Sequence, residues 1–137
     1  MSKFTSSFFA VLIDGLCQVP VGEAIPHGSL RWLAPELVAV ADSNYIPTTR
    51  ATDVWSFGML SLEIFTGNVP FSHVSNEGFI PLVIRDGPLP TRPEHTNPRG
   101  LSDAMWNLMN QCWHHDPQSR PSMSEIRGTI QNIRSCR

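Results

Sequence analysis

The residues whose types could support metal or redox chemistry are three cysteines and five histidines in a chain of 137 residues. Cys17, Cys112 and Cys136 are odd in number and widely spaced, which fits neither a disulfide framework nor a metal ligand set. His114 and His115 are adjacent, but no cysteine or carboxylate stands near them at ligand spacing. The pattern favours solvated loop histidines and a reducing compartment, so we expect a cytoplasmic location.

The charge and hydropathy patterns argue against a nucleic-acid-binding surface and against a membrane segment. The formal net charge is -2, and no basic run is present, which argues against a nucleic-acid-binding surface. The longest apolar run near the start, residues 8–13, is too short to span a membrane and short even for the core of a signal peptide. We therefore expect no nucleic-acid partner and no membrane segment.

The elements that must position any site are organised around residues 52–66. A helix drawn through this segment at about 100° per residue has apolar side chains nearly all round its axis. A helix of this kind belongs in the middle of a domain. Thr52 is the expected N-cap, Asp53 places a carboxylate on the positive end of the helix dipole, and Gly67 is the expected stop. The apolar residues of the segment are Val54, Trp55, Phe57, Met59, Leu60, Leu62, Ile64 and Phe65.

Shorter elements are expected before this central helix. Residues 8–13 are predicted to form a buried strand, and residues 17–31 and 42–50 are predicted to be loops. A short helix is expected after Trp32, with Val40 as its furthest end. No second strand is available to pair with the first.

Three more helices are predicted in the second half of the chain. The first, within residues 76–85, tolerates Pro81 in its first turn. The second begins at the N-cap Ser102, and the third begins at a capping box formed by Ser122 and Glu125. The expected inner faces are Met105, Leu108, Met109, Cys112 and Trp113 in the second helix and Ile126, Ile130 and Ile133 in the third.

The predicted fold class is mainly α, with about five helices and one isolated strand near the N-terminus. The apolar content of 41% is sufficient for a core. A lone strand is not a sheet, because an unpaired strand leaves its backbone groups without partners. The chain is therefore expected to be part of a larger fold.

Four motifs occur in a fixed order along the chain. They are RWLAPE at residues 31–36, DVWSFG at 53–58, GNVPF at 67–71 and CWHHDPQSRP at 112–121. Together they resemble the second half of a eukaryotic protein kinase catalytic domain of the tyrosine-kinase-like group. The resemblance covers residues 11–133, from a degenerate D-F-G motif to the last helix, and leaves a short start at 1–10 and a tail at 134–137. It implies a partial protein-kinase-like fold, the helical C-terminal lobe.

The resemblance implies roles for the segment that precedes the short helix. Residues 34–36 match the Ala-Pro-Glu that closes the activation segment, and the residues just before them match the substrate-docking loop. Ser29 matches the serine or threonine that precedes this loop, although an ordinary loop serine remains the alternative. The residues implied in the activation segment and in docking are Ser29, Arg31, Trp32, Ala34, Pro35 and Glu36.

Structural roles are implied for five residues. Asp53, Trp55 and Gly58 match the buried helix of the lower lobe, in which the aspartate holds the catalytic-loop backbone. Arg120 matches the arginine that pairs with the glutamate corresponding to Glu36. This ion pair is physically reasonable here, since both residues lie beside apolar segments and each would need a counter-charge once buried.

The parts that phosphoryl transfer requires are missing from the sequence. The chain has no G-x-G-x-x-G loop and no His-Arg-Asp, and Lys3 is its only lysine. Residues 11–16, VLIDGL, resemble the strand and D-F-G motif without the phenylalanine. Asp14 is therefore a weak candidate for a magnesium ligand, with a solvated turn aspartate as the alternative.

These observations predict a truncated C-terminal lobe that begins after the catalytic loop and is inactive on its own. No catalytic residue and no cofactor are assigned to this chain, whereas the intact family uses ATP and magnesium to phosphorylate protein serine, threonine or tyrosine. The expected partners are a protein substrate and a complementing kinase half. The alternative is a non-catalytic, pseudokinase-like module that binds a protein. An unrelated helical protein would require all four motif matches to be accidental.

Overall fold

The computed structural model describes residues 19–20, 30–39, 45–46, 48–94 and 100–135. These residues are mainly helical, as predicted, and include five α-helices. The helices are α1 (Pro35–Ala39), α2 (Arg50–Thr66), α3 (Ile80–Asp86), α4 (Asp103–Cys112) and α5 (Met123–Ser135). Short 3-10 turns are formed by Leu30–Trp32, Glu77–Phe79 and Pro117–Ser119. The strand predicted at residues 8–13 lies outside the described part of the chain.

Two very short strands lie in segments that were predicted to be loops. Strand β1 (Val19–Pro20) pairs antiparallel with β2 (Tyr45–Ile46), with Val19 opposite Ile46. A pairing of two residues is too short to leave an alternating pattern in the sequence. The pair joins the chain before α1 to the chain before α2.

Helix α2 begins earlier than predicted, because its N-cap is Thr49 and not Thr52. The Thr52 backbone N–H donates to Thr49 Oγ1 at 3.2 Å, and the Thr49 N–H donates to Thr52 Oγ1 at 2.9 Å. The two threonines therefore form a reciprocal capping box in which Thr52 takes the third helical position. At the other end Gly67 adopts φ 73° and donates its N–H to Glu63, which confirms the predicted stop.

The apolar side chains of α2 are not buried on every side. Trp55 and Met59 are completely inaccessible to solvent, and the helix packs against both α4 and the Leu30–Trp32 turn. Phe57 and Phe65 are half-buried, however, and Ile64 is 57% exposed. One stripe of this helix, which includes Ile64, is therefore left uncovered by the described residues.

The contact between α2 and α4 depends on the absence of a side chain at Gly58. A Cβ atom on Gly58 would lie 2.4 Å from Trp113 Nε1 and 2.9 Å from Cys112 Cβ. Trp113 is fully buried and contacts Trp106 edge-on, with ring centroids 5.6 Å apart. Gly58 therefore allows the indole ring to approach the α2 backbone.

The last two helices begin at the residues that the sequence predicted. Ser102 Oγ accepts the Met105 N–H at 3.2 Å, and Ser122 and Glu125 form a capping box. The predicted inner face of α5 is only partly correct. Ile126 is buried, whereas Ile130 is 37% exposed and Ile133 is half-buried.

We expect Gly58→Ala to lower the free energy of unfolding by about 1–3 kcal/mol, because the added methyl group overpacks the contact with Trp113. The matched control is Gly128→Ala in α5, where nothing lies within 4 Å of the added Cβ. The control should be neutral or stabilise the chain by up to about 1 kcal/mol. Denaturant unfolding of both variants measures the difference. Equal stabilities would contradict the proposed close approach.

Candidate functional site

The segment from Leu30 to Glu36 is held against the helical core by three polar side chains. The first is Arg31, whose guanidinium group donates to three backbone carbonyls of the described residues. Nη1 donates to Pro70 at 3.0 Å and to Phe71 at 2.7 Å, and Nη2 donates to Val74 at 2.9 Å. Arg31 therefore ties the segment to the turn that follows α2.

Trp32 connects the same segment to the middle of α2. Its indole Nε1 donates to Glu63 Oε2 at 3.1 Å, and its backbone carbonyl accepts from Ser56 Oγ at 2.8 Å. Glu63 and Ser56 lie seven positions apart, so they fall on nearly the same side of a helix. The segment consequently follows one side of α2.

Arg120 and Glu36, the residues expected to pair, are joined by a two-point ion pair. Nη1 donates to Glu36 Oε1 at 2.7 Å, and Nη2 donates to Oε2 at 2.8 Å. The Arg120 side chain is 0% exposed, and that of Glu36 is 30% exposed. Charge-assisted bidentate pairs of this kind are strong and directional. The pair fixes the start of α1 to the turn that precedes α5.

The remaining donors of Arg120 are also satisfied. Its Nε donates to the His114 carbonyl at 2.8 Å, and Nη1 also donates to the Ala51 carbonyl at 2.8 Å. The guanidinium carbon lies 5.2 Å from the centroid of the Trp55 ring, within cation–π range. A buried cation with all its nitrogens in use has a structural role that combines charge, hydrogen bonds and packing.

Asp53 lies in the first turn of α2 and is half-buried. Burial raises the pKa of its carboxyl group. No side-chain hydrogen bond or ion pair to this carboxylate is present among the described residues, so the positive end of the α2 dipole is what opposes the cost of burying the charge there. The cost of burial is the larger effect, since the pKa is raised.

The structure gives no metal site for the residues that it describes. Asp14 and Ser29 lie outside them, as does Cys17. The described ranges contain no group of three or more His, Cys, Asp or Glu side chains that could hold a metal ion. Cys112 is buried, which raises the pKa of its thiol to about 12 and keeps it protonated and unreactive.

The hydrogen bonds of Arg31 and Trp32 were not predicted from the sequence. The Arg31 contacts are to backbone carbonyls, which leave no trace in residue types. The Trp32 contact had a visible signal, since Glu63 is the one charged residue in the sequence from Val54 to Thr66. A buried or half-buried charge of this kind requires a donor nearby.

The comparison with known protein families agrees with this arrangement. A model of the family described as protein tyrosine and serine/threonine kinase matches residues 23–130. The chain belongs to the protein kinase family. Trp32, Glu36 and Arg120 all lie within the matched range.

Individual relatives include both kinds of kinase. The chain is 37% identical over 107 residues to the human proto-oncogene tyrosine-protein kinase ROS, covering 77% of this chain and 4% of the relative. It is 35% identical over 109 residues to the probable serine/threonine-protein kinase qkgA of Dictyostelium discoideum, covering 78% and 6%. The mouse vascular endothelial growth factor receptor 2 is 36% identical over 105 residues, covering 76% and 7%. The chain thus spans only a small fraction of each of these relatives.

Within the described residues, the structure contains no helix that is both long and apolar enough to cross a membrane.

We expect Arg120→Ala to lower the free energy of unfolding by about 3 kcal/mol, because it leaves Glu36 and the carbonyls of Ala51 and His114 without their donor. This loss is at the low end of the range for breaking a buried ion pair, since the Glu36 side chain is 30% exposed. The control is Arg85→Ala, which removes an exposed pair with Asp86 and should have no measurable effect. Equal losses in the two variants would show that the Glu36–Arg120 pair is no stronger than a surface contact.

We expect Asp53→Asn to be more stable than the parent chain near pH 7. The folded-state pKa of Asp53 is raised above its ordinary value of 3.8, so the folded state binds this proton more tightly than the unfolded state. Stability from this group is therefore greatest below pH 3.8 and falls as the pH rises through the folded pKa.

The measurement is thermal unfolding of parent and variant from pH 3 to pH 8. The difference in midpoint should favour the asparagine variant at neutral pH and shrink as the pH is lowered. A difference that is constant across this range would mean that the carboxyl group does not titrate with a raised pKa.

Proposed function

We propose that this chain forms the lower, protein-docking lobe of a protein kinase domain and does not transfer phosphate by itself. Residues 30–36 would be the end of the activation segment and the loop that docks a protein substrate. The observation that carries the proposal is the buried Arg120, which holds Glu36 at the end of this segment. A docking loop fixed in advance loses less conformational freedom when a partner binds.

The position of the segment on the lobe supports this role. Arg31 and Trp32 anchor it near its start and Glu36 anchors it at its end, so its backbone has a defined path between them. Ala34 and Pro35 are buried between these anchors. The segment is therefore attached to the core on one side, which leaves its other side for a partner.

The residues present do not fit ATP with magnesium. Phosphoryl transfer needs a lysine and a phosphate-cradling loop to position the nucleotide, carboxylates to hold the metal ion and a base near the hydroxyl group. Lys3, the only lysine in the sequence, lies outside the described residues, and those residues offer no metal-ligating cluster. We assign no step of the reaction to them. Under the proposal, a complementing kinase half would supply these parts.

A second candidate is a non-catalytic, pseudokinase-like module that binds a protein through α3. The observation that favours it is the exposure of Phe79 and Leu82, at 55% and 49%, on the outer side of this helix and the turn that leads into it. Neighbouring exposed apolar side chains are typical of protein-binding surfaces. This function would require the chain to fold without assistance.

The experiment is thermal unfolding of the purified chain with and without a large excess of ATP and magnesium. A ligand that binds the folded state must raise the midpoint by mass action. Because the proposal gives this chain no nucleotide site, we expect an unchanged midpoint. Magnesium sulfate at matched ionic strength is the control for salt effects. A midpoint that rises with nucleotide beyond this control would overturn the claim that the chain lacks a nucleotide site.

The same measurement tests the second candidate. A cooperative transition that does not respond to nucleotide is compatible with an independent binding module. A chain without any cooperative transition contradicts that candidate, since it would need a complementing half in order to fold.

A further inference from the structure

The turn after α2 contains a backbone conformation that its residue type disfavours. Phe71 has φ 55°, in the left-handed region, and it is the one non-glycine residue with positive φ among those described. Bulky residues rarely adopt this conformation, because Cβ then crowds the neighbouring carbonyl. The Phe71 side chain is only 6% exposed, so its packing in the core and its backbone geometry have to be satisfied together.

Arg31 supplies the interaction that can hold this turn. Its guanidinium group donates to the carbonyls of Pro70, Phe71 and Val74. None of the ion pairs among the described residues includes Arg31. Within the part of the chain that the structure describes, its charge is therefore directed at backbone dipoles and not at a carboxylate. The planar guanidinium has several donors in a fixed fork, which lets one side chain reach all three carbonyls.

We infer that Arg31 is a positioning residue that fixes the turn at residues 70–74 against the segment at residues 30–36. Together these two stretches form one continuous surface whose parts cannot move separately. The use of this surface to dock a protein rests on the proposed function. The coupling of the two stretches does not, since it follows from contacts within the chain.

The Val74 amide reports whether the turn is closed. Its N–H donates to the Phe71 carbonyl at 2.9 Å, and the same carbonyl accepts from Arg31 at 2.7 Å. If Arg31 holds Phe71 in place, loss of the fork frees this carbonyl to rotate, and the Val74 hydrogen bond opens with it. Lysine keeps the positive charge but carries a single nitrogen, so it cannot reproduce the three-point contact.

The test is amide hydrogen exchange of the 137-residue chain, without any ligand, for the parent, Arg31→Lys and Arg31→Ala. We expect exchange at Val74 to accelerate by about tenfold or more in the alanine variant and by a smaller factor in the lysine variant. Exchange at the Trp113 amide in the core should stay unchanged. The matched control is Arg92→Lys, because Arg92 also donates to a carbonyl, that of Leu101, at 2.9 Å.

Three results would overturn the inference. The first is unchanged exchange at Val74 in both Arg31 variants. The second is an equal acceleration at Val74 and Trp113, which would mean that Arg31 only adds to global stability. The third is loss of cooperative unfolding in Arg31→Lys while Arg92→Lys keeps it, because the coupling would then not be local. Since no ligand is used, failure of the docking function would leave this result unaffected.

Discussion

The buried guanidinium group of Arg120 is the constraint on which the other contacts of the site depend. A cation removed from water requires both a counter-charge and a partner for each donor. Here Glu36 provides the charge, and the carbonyls of Ala51 and His114 accept the remaining hydrogen bonds. These partners come from the start of α1, the start of α2 and the turn after α4. The need to satisfy one side chain therefore brings three distant parts of the chain to one point.

The core next to Arg120 is held together by the close packing of apolar side chains more than by charge. Gly58 lets the Trp113 ring reach the α2 backbone, and Trp55 fills the space beneath the Arg120 guanidinium group. The indole nitrogens of both tryptophans are buried, and neither has a hydrogen-bond partner among the residues that the structure describes. These two N–H groups reduce the net stabilisation that the rings contribute, since each gives up its bond to water. The large apolar area of the rings outweighs this cost.

The sequence predicted the features that depend on side-chain type and failed where the backbone decides. The capping serines, the Gly67 stop and the amphipathic face of α4 each require particular residues, so their pattern is visible. Thr49 was missed as the N-cap because two threonines three residues apart can exchange the cap and third-position roles. The Arg31 contacts were missed because carbonyl acceptors belong to every residue. The 37% exposure of Ile130 depends on how α5 packs against the rest of the chain, and this is a tertiary property.

The Glu36–Arg120 pair also has a consequence for the order in which the chain is made. The two residues are 84 positions apart, so Glu36 is synthesised well before its partner exists. At ordinary rates of synthesis this interval is roughly 4 to 17 s, far longer than helices need to form. During this time α2 and α3 can form while the segment before α1 has no counter-charge. The Glu36–Arg120 contact therefore forms only after Arg120 has been synthesised, so the segment at residues 30–36 lacks this anchor while the residues before Arg120 are made.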